Sequence, residues 1–170
     1  MPPSETRAGA RSAEAGGVAG VVVRRAALGE ILALRHAVLR AGLPPEAAAF
    51  DGDDEPATLH VGAFLPGGRV AGCASAMCRP FDDRPAHQLR GMATRPDLAG
   101  RGIGTRVLRF VEAAIARAGG QGLVWCNARV PAVEFYRRAG WTVVSDVFDI
   151  PTAGPHRRML RDLTPASRRP

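Results

Sequence analysis

Residues 89–105 read LRGMATRPDLAGRGIGT, and this stretch predicts a strand that runs through a glycine-rich loop into a helix. Backbone N–H groups at a helix start have no intrahelical partner, and the helix dipole adds about half a positive charge there. Gly100, Gly102 and Gly104 allow a ligand to approach the backbone closely. The stretch therefore predicts an anion site that can hold a pyrophosphate, although a plain glycine-rich turn would show the same local pattern.

Two other glycine-loop functions are excluded by single positions. A Walker loop requires lysine in G-x-x-x-x-G-K, and the chain contains no lysine. A dinucleotide fingerprint that starts at Gly100 needs glycine where Thr105 stands, and one that starts at Gly102 needs glycine where Val107 stands. Nucleoside triphosphate hydrolysis and nicotinamide binding are therefore not expected.

A second informative segment, residues 125–141, reads WCNARVPAVEFYRRAGW. It follows a short apolar run that predicts a buried strand. Pro131 then opens a predicted helix, and Gly140 ends it, in agreement with the preferences of proline for helix starts and glycine for helix ends. Ala132, Phe135 and Tyr136 share one face of this helix.

Together the two segments resemble the GCN5-related N-acetyltransferase (GNAT) superfamily. Its donor motif has the form Q/R-x-x-G-x-G/A after a long strand, and residues 99–104 match it at Gly102 and Gly104 but depart from it at Ala99. The second segment is similar to the family's Asn followed by Ala-x-x-Phe-Tyr-x-x-x-Gly-Phe/Trp. The resemblance covers roughly residues 20–163.

The resemblance implies an α/β (α+β) fold, with a mixed, mostly antiparallel sheet of about six to seven strands flanked by about four helices. It implies acetyl-CoA as co-substrate, no metal, and transfer of an acetyl or short acyl group to a primary amine by direct attack in a ternary complex. The residues that it implies for binding acetyl-CoA are Met92, Ala93, Thr94, Ala99, Gly100, Arg101, Gly102, Ile103, Gly104, Thr105, Asn127, Ala132, Phe135 and Tyr136.

The resemblance also suggests individual roles. The Met92 N–H is the expected oxyanion donor, and the Tyr136 hydroxyl is the expected catalytic proton donor to the thioester sulfur, because a phenol is protonated at neutral pH. The Asn127 amide would bridge the pantetheine chain. Two structural alternatives stay open, namely that Tyr136 is a core aromatic and that Asn127 caps a turn.

No general base is assigned, because the family does not fix one. The candidates are the four histidines, His36, His60, His87 and His156, although a histidine in such a position is more often structural. The segment GPHRRM that contains His156 is similar to a G-P-H-x-x-M segment in one subgroup of the family, but its role is open.

The acidic run at residues 51–55, DGDDE, begins like a calcium loop. It carries Pro56 where that loop needs glycine and Gly62 where it needs glutamate, so calcium binding is rejected. The run could attract a cationic amine near the acceptor, or it could be a solvated loop.

Hydrophobic periodicity supplies the rest of the chain. It predicts a strand at residues 21–23, a helix from Leu28 whose apolar stripe only Arg35 interrupts, and a hairpin over residues 58–77. A long helix is predicted from Thr105 to Gly119, and further strands at residues 141–144 and 156–163. Residues 18–163 then form one domain between flexible tails at residues 1–17 and 164–170.

Composition excludes several classes of protein. The 170 residues are 46% hydrophobic, enough for one core, and no apolar run is long enough for a membrane span, so a soluble cytoplasmic protein without a membrane partner is expected. The net charge of +7 comes from scattered arginines, which does not favour nucleic acid but suits the phosphates of coenzyme A. Three cysteines without C-x-x-C spacing are expected to be reduced core residues.

The acceptor cannot be read from the sequence. Antibiotic, polyamine, amino acid, peptide amine and protein lysine all stay open. A homodimer is expected from the exposed edge strands of such a sheet. The rival function is a non-catalytic module that binds acyl-CoA as a sensor, which the missing Gln or Arg at Ala99 favours and the retained Tyr136 does not.

Overall fold

The computed structural model describes residues 18–119 and 122–164. The tails predicted at residues 1–17 and 164–170 lie outside the described residues, except for Thr164. No helix in the described part of the chain combines the length and apolarity needed to cross a bilayer.

Eight strands form one sheet around which three α-helices pack. The strands are β1 Val22–Arg25, β2 Leu59–Phe64, β3 Val70–Cys78, β4 His87–Thr94, β5 Leu123–Arg129, β6 Thr142–Val143, β7 Phe148–Ile150 and β8 Gly154–Asp162. The α-helices are α1 Leu28–Leu39, α2 Ile103–Arg117 and α3 Val133–Arg138, and short 3-10 turns span Pro45–Ala48, Pro96–Leu98 and Val130–Ala132.

The sheet order is β1-β2-β3-β4-β5-β8-β6, with β7 also on β8. Only β4 and β5 pair in parallel, and the other pairs are antiparallel. The mixed, mostly antiparallel α/β fold is confirmed.

The described residues contain eight strands and three α-helices, which differs slightly from the predicted counts of about six to seven strands and about four helices. The missed strand is β7, whose three residues are too few to show alternation. Between α1 and β2 the described chain makes only the four-residue 3-10 turn Pro45–Ala48.

Helices cover both faces of the sheet. Val107, Leu108 and Val111 of α2 are fully buried against one face. Ile31 of α1 is buried with Cys73 and Ala93 on the other face. Helix α2 starts at Ile103, two residues before the predicted Thr105, and Ile103 itself is buried in the core.

The sheet opens between β4 and β5. These strands pair only at His87 with Val124 and at Gln88 with Trp125, and no pairing follows although both strands continue. On its other edge β4 carries a bulge, because the partners of Cys73 and Ser75 are Ala93 and Arg90, so β4 has one residue more than β3 in this interval. The opening leaves a wedge in the middle of the sheet.

Candidate active site

Two cavities occupy the wedge between β4 and β5. The large cleft has a volume of about 820 Å³ and lies against α2 and α3. The small cavity has a volume of about 200 Å³ and reaches the end of α1 and the loop before β8. Met92, Ala132 and Tyr136 line both cavities, so the cavities meet at these three residues.

The large cleft brings together most of the residues predicted to bind acetyl-CoA. Those that line it are Met92, Ala93, Thr94, Ala99, Gly100, Gly102, Ile103, Gly104, Thr105, Ala132, Phe135 and Tyr136. Arg101 is exposed and does not line the cleft, and Asn127 lines the small cavity instead. The buried side-chain oxygen of Asn127 has no hydrogen-bond partner among the described residues.

One end of the large cleft is a helix start without a cap. Gly100 and Gly102 have φ of 75° and 78°, which favour glycine. Gly102 is the N-cap of α2, no side chain caps the helix, and its first turn contains no acidic residue. The Arg106 N–H donates to the Gly102 carbonyl at 3.0 Å, so the three preceding N–H groups of the helix have no intrahelical partner. This end of the cleft can hold an anion.

Gly104 keeps the large cleft open. A Cβ at this position would lie 3.3 Å from Thr94 Oγ1, 3.6 Å from Met92 Cε and 3.6 Å from a ring carbon of Phe135. All three neighbours line the cleft. A larger side chain here would therefore fill the cleft between β4 and α3.

Tyr136 is both a core residue and a residue of the wedge. It is 6% exposed, and its ring lies 5.1 Å from the Phe135 ring and 5.3 Å from the Trp141 ring. Burial, and to a lesser degree the neighbouring Cys126 thiol, raise the pKa of the Tyr136 phenol well above its usual value. The hydroxyl is therefore protonated at neutral pH.

The Cys126 thiol is not suited to nucleophilic chemistry. Cys126 is 2% exposed, and burial raises the pKa of its thiol far above the usual value. A buried thiol remains protonated, whereas the nucleophile of cysteine chemistry is the thiolate.

Sequence reasoning missed a carboxylate in the large cleft. Glu112 is buried, accepts a hydrogen bond from the Trp141 indole N–H at 2.8 Å and pairs with Arg161 at 3.2 Å. Its signal in the sequence was an acidic residue on the apolar stripe of α2, four positions after Leu108. Arg109 and Arg138 also line the cleft without having been predicted.

Three of the four histidines line neither cavity, and the fourth, His156, lines the small cavity. His36 Nε2 bonds to the Leu43 carbonyl at 2.7 Å, and buried His60 bonds to Ser75 Oγ at 2.7 Å and the Asp53 carbonyl at 2.9 Å. Burial lowers the pKa of His87, which lines neither cavity. His156 lines the small cavity, with Nδ1 held 2.7 Å from the Gly154 carbonyl.

Carboxylates of the acidic run at residues 51–55 form ion pairs with arginines of the same chain. Asp53 pairs with Arg35, which is fully buried and also bonds to the Ala48 carbonyl and Ser75 Oγ. Glu55 pairs with Arg79 at 2.7 Å. Arg35 thus interrupts the apolar stripe of α1 because it has a buried carboxylate partner. Across residues 18–119 and 122–164 no group of three or more His, Cys, Asp or Glu side chains is placed to hold a metal ion.

Comparison with known proteins agrees with this geometry. The model of the acetyltransferase (GNAT) family matches residues 28–141. The uncharacterized N-acetyltransferase YitI of Bacillus subtilis (strain 168) is 31% identical over 132 residues, which are 76% of this chain and 88% of that protein.

Solved structures show the same fold at lower identity. An aminoglycoside 6'-N-acetyltransferase complexed with coenzyme A superposes with a TM-score of 0.68 at 15% identity, covering 88% of this chain and 99% of that chain. Escherichia coli ElaA superposes with a TM-score of 0.65 at 17% identity, covering 84% and 99%. Because the family model covers both sequence motifs and the wedge between β4 and β5, this chain belongs to the GNAT family of acetyltransferases.

Proposed function

We propose that this protein transfers an acetyl or short acyl group from acetyl-CoA to the primary amine of a small acceptor, by direct attack in a ternary complex. The observation that carries the proposal is the meeting of two cavities at Met92, Ala132 and Tyr136. One cavity then holds the acyl donor and the other the amine, so that the reacting atoms come together at the wedge.

The large cleft fits the donor. The uncapped N-terminus of α2 presents backbone N–H groups to the pyrophosphate of coenzyme A, and Gly100 and Gly102 let it approach. The divergence of β4 from β5 leaves the backbone of residues 89–94 without a strand partner on that edge, so it can bond the pantetheine arm. Ala99 removes one side-chain donor from the family motif, but the backbone contacts remain.

The chemistry at the wedge follows from these positions. The neutral amine attacks the thioester carbon, and the carbonyl oxygen becomes an oxyanion that the Met92 N–H stabilises. The C–S bond then breaks, and the Tyr136 phenol gives its proton to the departing sulfur. The proton lost by the amine leaves through water, and the phenol is reprotonated from solvent. Cys126 takes no part, because its buried thiol stays protonated.

Calorimetric titration of acetyl-CoA tests the donor site. We expect saturable binding to the wild type and its loss in Gly104→Leu, whose side chain would enter the cleft between Thr94 and Phe135. Gly29→Leu is the matched control, because Gly29 is also the second residue of an α-helix, and nothing lies within 4 Å of a Cβ there. No binding to the wild type, or equal binding in both variants, would overturn the proposed donor site.

Tyr136→Phe tests the role of the phenol. The variant keeps the ring that packs on Phe135 and Trp141 and removes only the hydroxyl. We expect the rate of thiol release to fall by about 10²-fold or more, as for loss of a general acid, with acetyl-CoA affinity unchanged. An unchanged rate would remove Tyr136 from the mechanism.

The alternative function is a sensor that binds acyl-CoA without turnover, and the departure at Ala99 favours it. A sensor and an enzyme both bind acetyl-CoA in the titration. Only the enzyme releases free coenzyme A when an amine is added, so a panel of amines separates the two.

A further inference from the structure

The lining of the small cavity contains several basic side chains and no acidic one. Three arginines, Arg40, Arg90 and Arg129, line it, and no aspartate or glutamate of the described residues does. The three arginines, here called the arginine cluster, are each half-buried. In residues 18–119 and 122–164, no carboxylate lies within 4 Å of any of the three.

The arginine cluster is one connected group. The guanidinium carbons of Arg40 and Arg90 lie 5.2 and 4.8 Å from the centre of the Phe50 ring. Arg40 and Arg129 both donate to the Leu39 carbonyl, at 3.0 and 2.9 Å. Two shared partners, one aromatic ring and one carbonyl, therefore hold three cations at the same cavity.

These arginines have N–H donors to spare. A guanidinium carries five N–H groups. In the described chain, Arg40 bonds only to the Leu39 carbonyl, and Arg90 bonds to the Asp51 carbonyl at 3.2 Å and weakly to Met77 Sδ. Burial, and the charges of Arg129 and Arg35, lower the pKa of Arg40, because its guanidinium has lost part of its hydration and lies near other positive charges. An anion in the cavity would relieve both.

The acidic groups nearest in sequence do not supply that anion. Asp53 is held by Arg35, and the Asp51 side chain is 96% exposed and lies 3.5 Å from Arg79. Carboxylates of the run at residues 51–55 thus pair with arginines outside the cluster, although Arg90 feels the charges of Asp53 and Asp51 at longer range. A polycationic acceptor would meet three guanidiniums with no directly paired carboxylate, and like charges in a confined site repel.

Resting on the proposed transfer reaction, we infer that the acceptor is a small amine that also carries an anionic group, a carboxylate or a phosphate, which the arginine cluster binds. Guanidinium groups recognise both anions through paired N–H bonds. The volume of about 200 Å³ suits an acceptor smaller than a drug-sized ligand. Asn127, whose buried oxygen lacks a partner in the described chain, lines the same cavity and can accept an N–H bond from the amine.

Matched acceptors test this inference. With acetyl-CoA saturating, thiol release is compared for glycine and glycinamide, for O-phosphoethanolamine and ethanolamine, and for putrescine. We expect the anionic member of at least one pair to exceed its neutral partner by about tenfold or more in kcat/KM, with putrescine no better than the neutral amines. The two pairs distinguish a carboxylate from a phosphate. Equal use of anionic and neutral forms, or a preference for putrescine, would overturn the inference.

Charge variants assign the preference to the arginine cluster. Arg40→Gln and Arg90→Gln should remove it by raising KM for the anionic acceptor and leaving the neutral one unchanged. Arg117→Gln is the control, because Arg117 is exposed at the last position of α2, about 20 Å along the helix from its N-terminus. A preference that survives both cluster variants would also overturn the assignment.

A binding measurement separates this inference from the proposed function. Protein saturated with coenzyme A is titrated with O-phosphoethanolamine and ethanolamine by calorimetry, without any turnover. Preferential binding of the phosphate form that Arg90→Gln abolishes, in a protein that never releases thiol, would keep the anion site and reject the transfer reaction. Turnover without any preference for the anionic acceptor would keep the transfer reaction and reject the anion site.

Discussion

Gly91→Ala tests whether the bulge of β4 and the buried Arg35 determine each other. Gly91 has φ of 60°, and a Cβ there would lie 2.6 Å from Arg35 Nε, 3.0 Å from Arg35 Cζ and 3.1 Å from a ring carbon of Phe50. Arg35 cannot move away freely, because it is fully buried and bonded to Ala48, Asp53 and Ser75. The methyl group therefore adds both backbone strain and overlap.

The two costs can be separated with a second glycine. A left-handed conformation costs a non-glycine residue about 1–2 kcal/mol, and overpacking costs a further ~1–3 kcal/mol. Gly67 has φ of 89°, and nothing lies within 4 Å of a Cβ there, so Gly67→Ala carries the first cost alone. We expect Gly91→Ala to lower the free energy of unfolding by about 2–5 kcal/mol and Gly67→Ala by about 1–2 kcal/mol.

Urea unfolding measures both variants against the wild type, with the slope m compared to confirm that the unfolded states are alike. The reasoning would be refuted if the two variants lost the same free energy of unfolding within about 0.5 kcal/mol. Surface substitutions that disturb no specific contact typically change stability by no more than this amount. Such a result would mean that a methyl group at position 91 fits beside Arg35 without a measurable loss of stability.

Two further predictions concern the buried ion pair and the thiols. Asp53→Asn should lower the free energy of unfolding by about 3–5 kcal/mol, because it leaves the Arg35 charge buried and unpaired. Glu55→Gln, in an exposed pair, should change the free energy of unfolding little, and similar losses for the two variants in urea unfolding would contradict this. At pH 8 a thiol reagent should react quickly with exposed Cys78 and slowly with the two buried thiols, because burial raises the pKa of a buried thiol, that of Cys73 to about 11. Rapid reaction of the Cys78→Ser variant would contradict this. The same variant is also the cleaner background for measuring coenzyme A release.

The anion-binding end of the large cleft was predictable from the local sequence and the small cavity was not, for a physical reason. The helix start at Gly102 and the residues that follow it are close in sequence, so the local glycine pattern determines their geometry. The small cavity combines the end of α1, the loop at Phe50, β4, β5 and the loop before β8. The bond from Arg129 to the Leu39 carbonyl joins residues 90 positions apart, and no local pattern encodes it.

The opening of the sheet depends on tertiary pairing in the same way. The local sequence predicted β4 and β5 as strands, but it does not fix their register, and a bulge shifts register by one residue. The glycine at position 91 was visible in the sequence. Its need for a positive φ became clear only when Arg35, 56 positions earlier, was placed against it.

The buried ion pair connects the stability of the fold with the anion site that we propose for the acceptor. Asp53 Oδ2 accepts bonds from both Arg35 and the Phe50 N–H, the latter at 2.8 Å, so the ion pair fixes the backbone at Phe50. The Phe50 ring in turn lies under the guanidinium groups of Arg40 and Arg90. The acidic run therefore acts on the small cavity in two ways, while the N-terminus of α2 is built from other segments. It positions the ring on which two of the cations rest, and its Asp51 carbonyl accepts a hydrogen bond from Arg90. Loosening this loop should accordingly weaken discrimination between acceptors before it weakens the binding of acetyl-CoA.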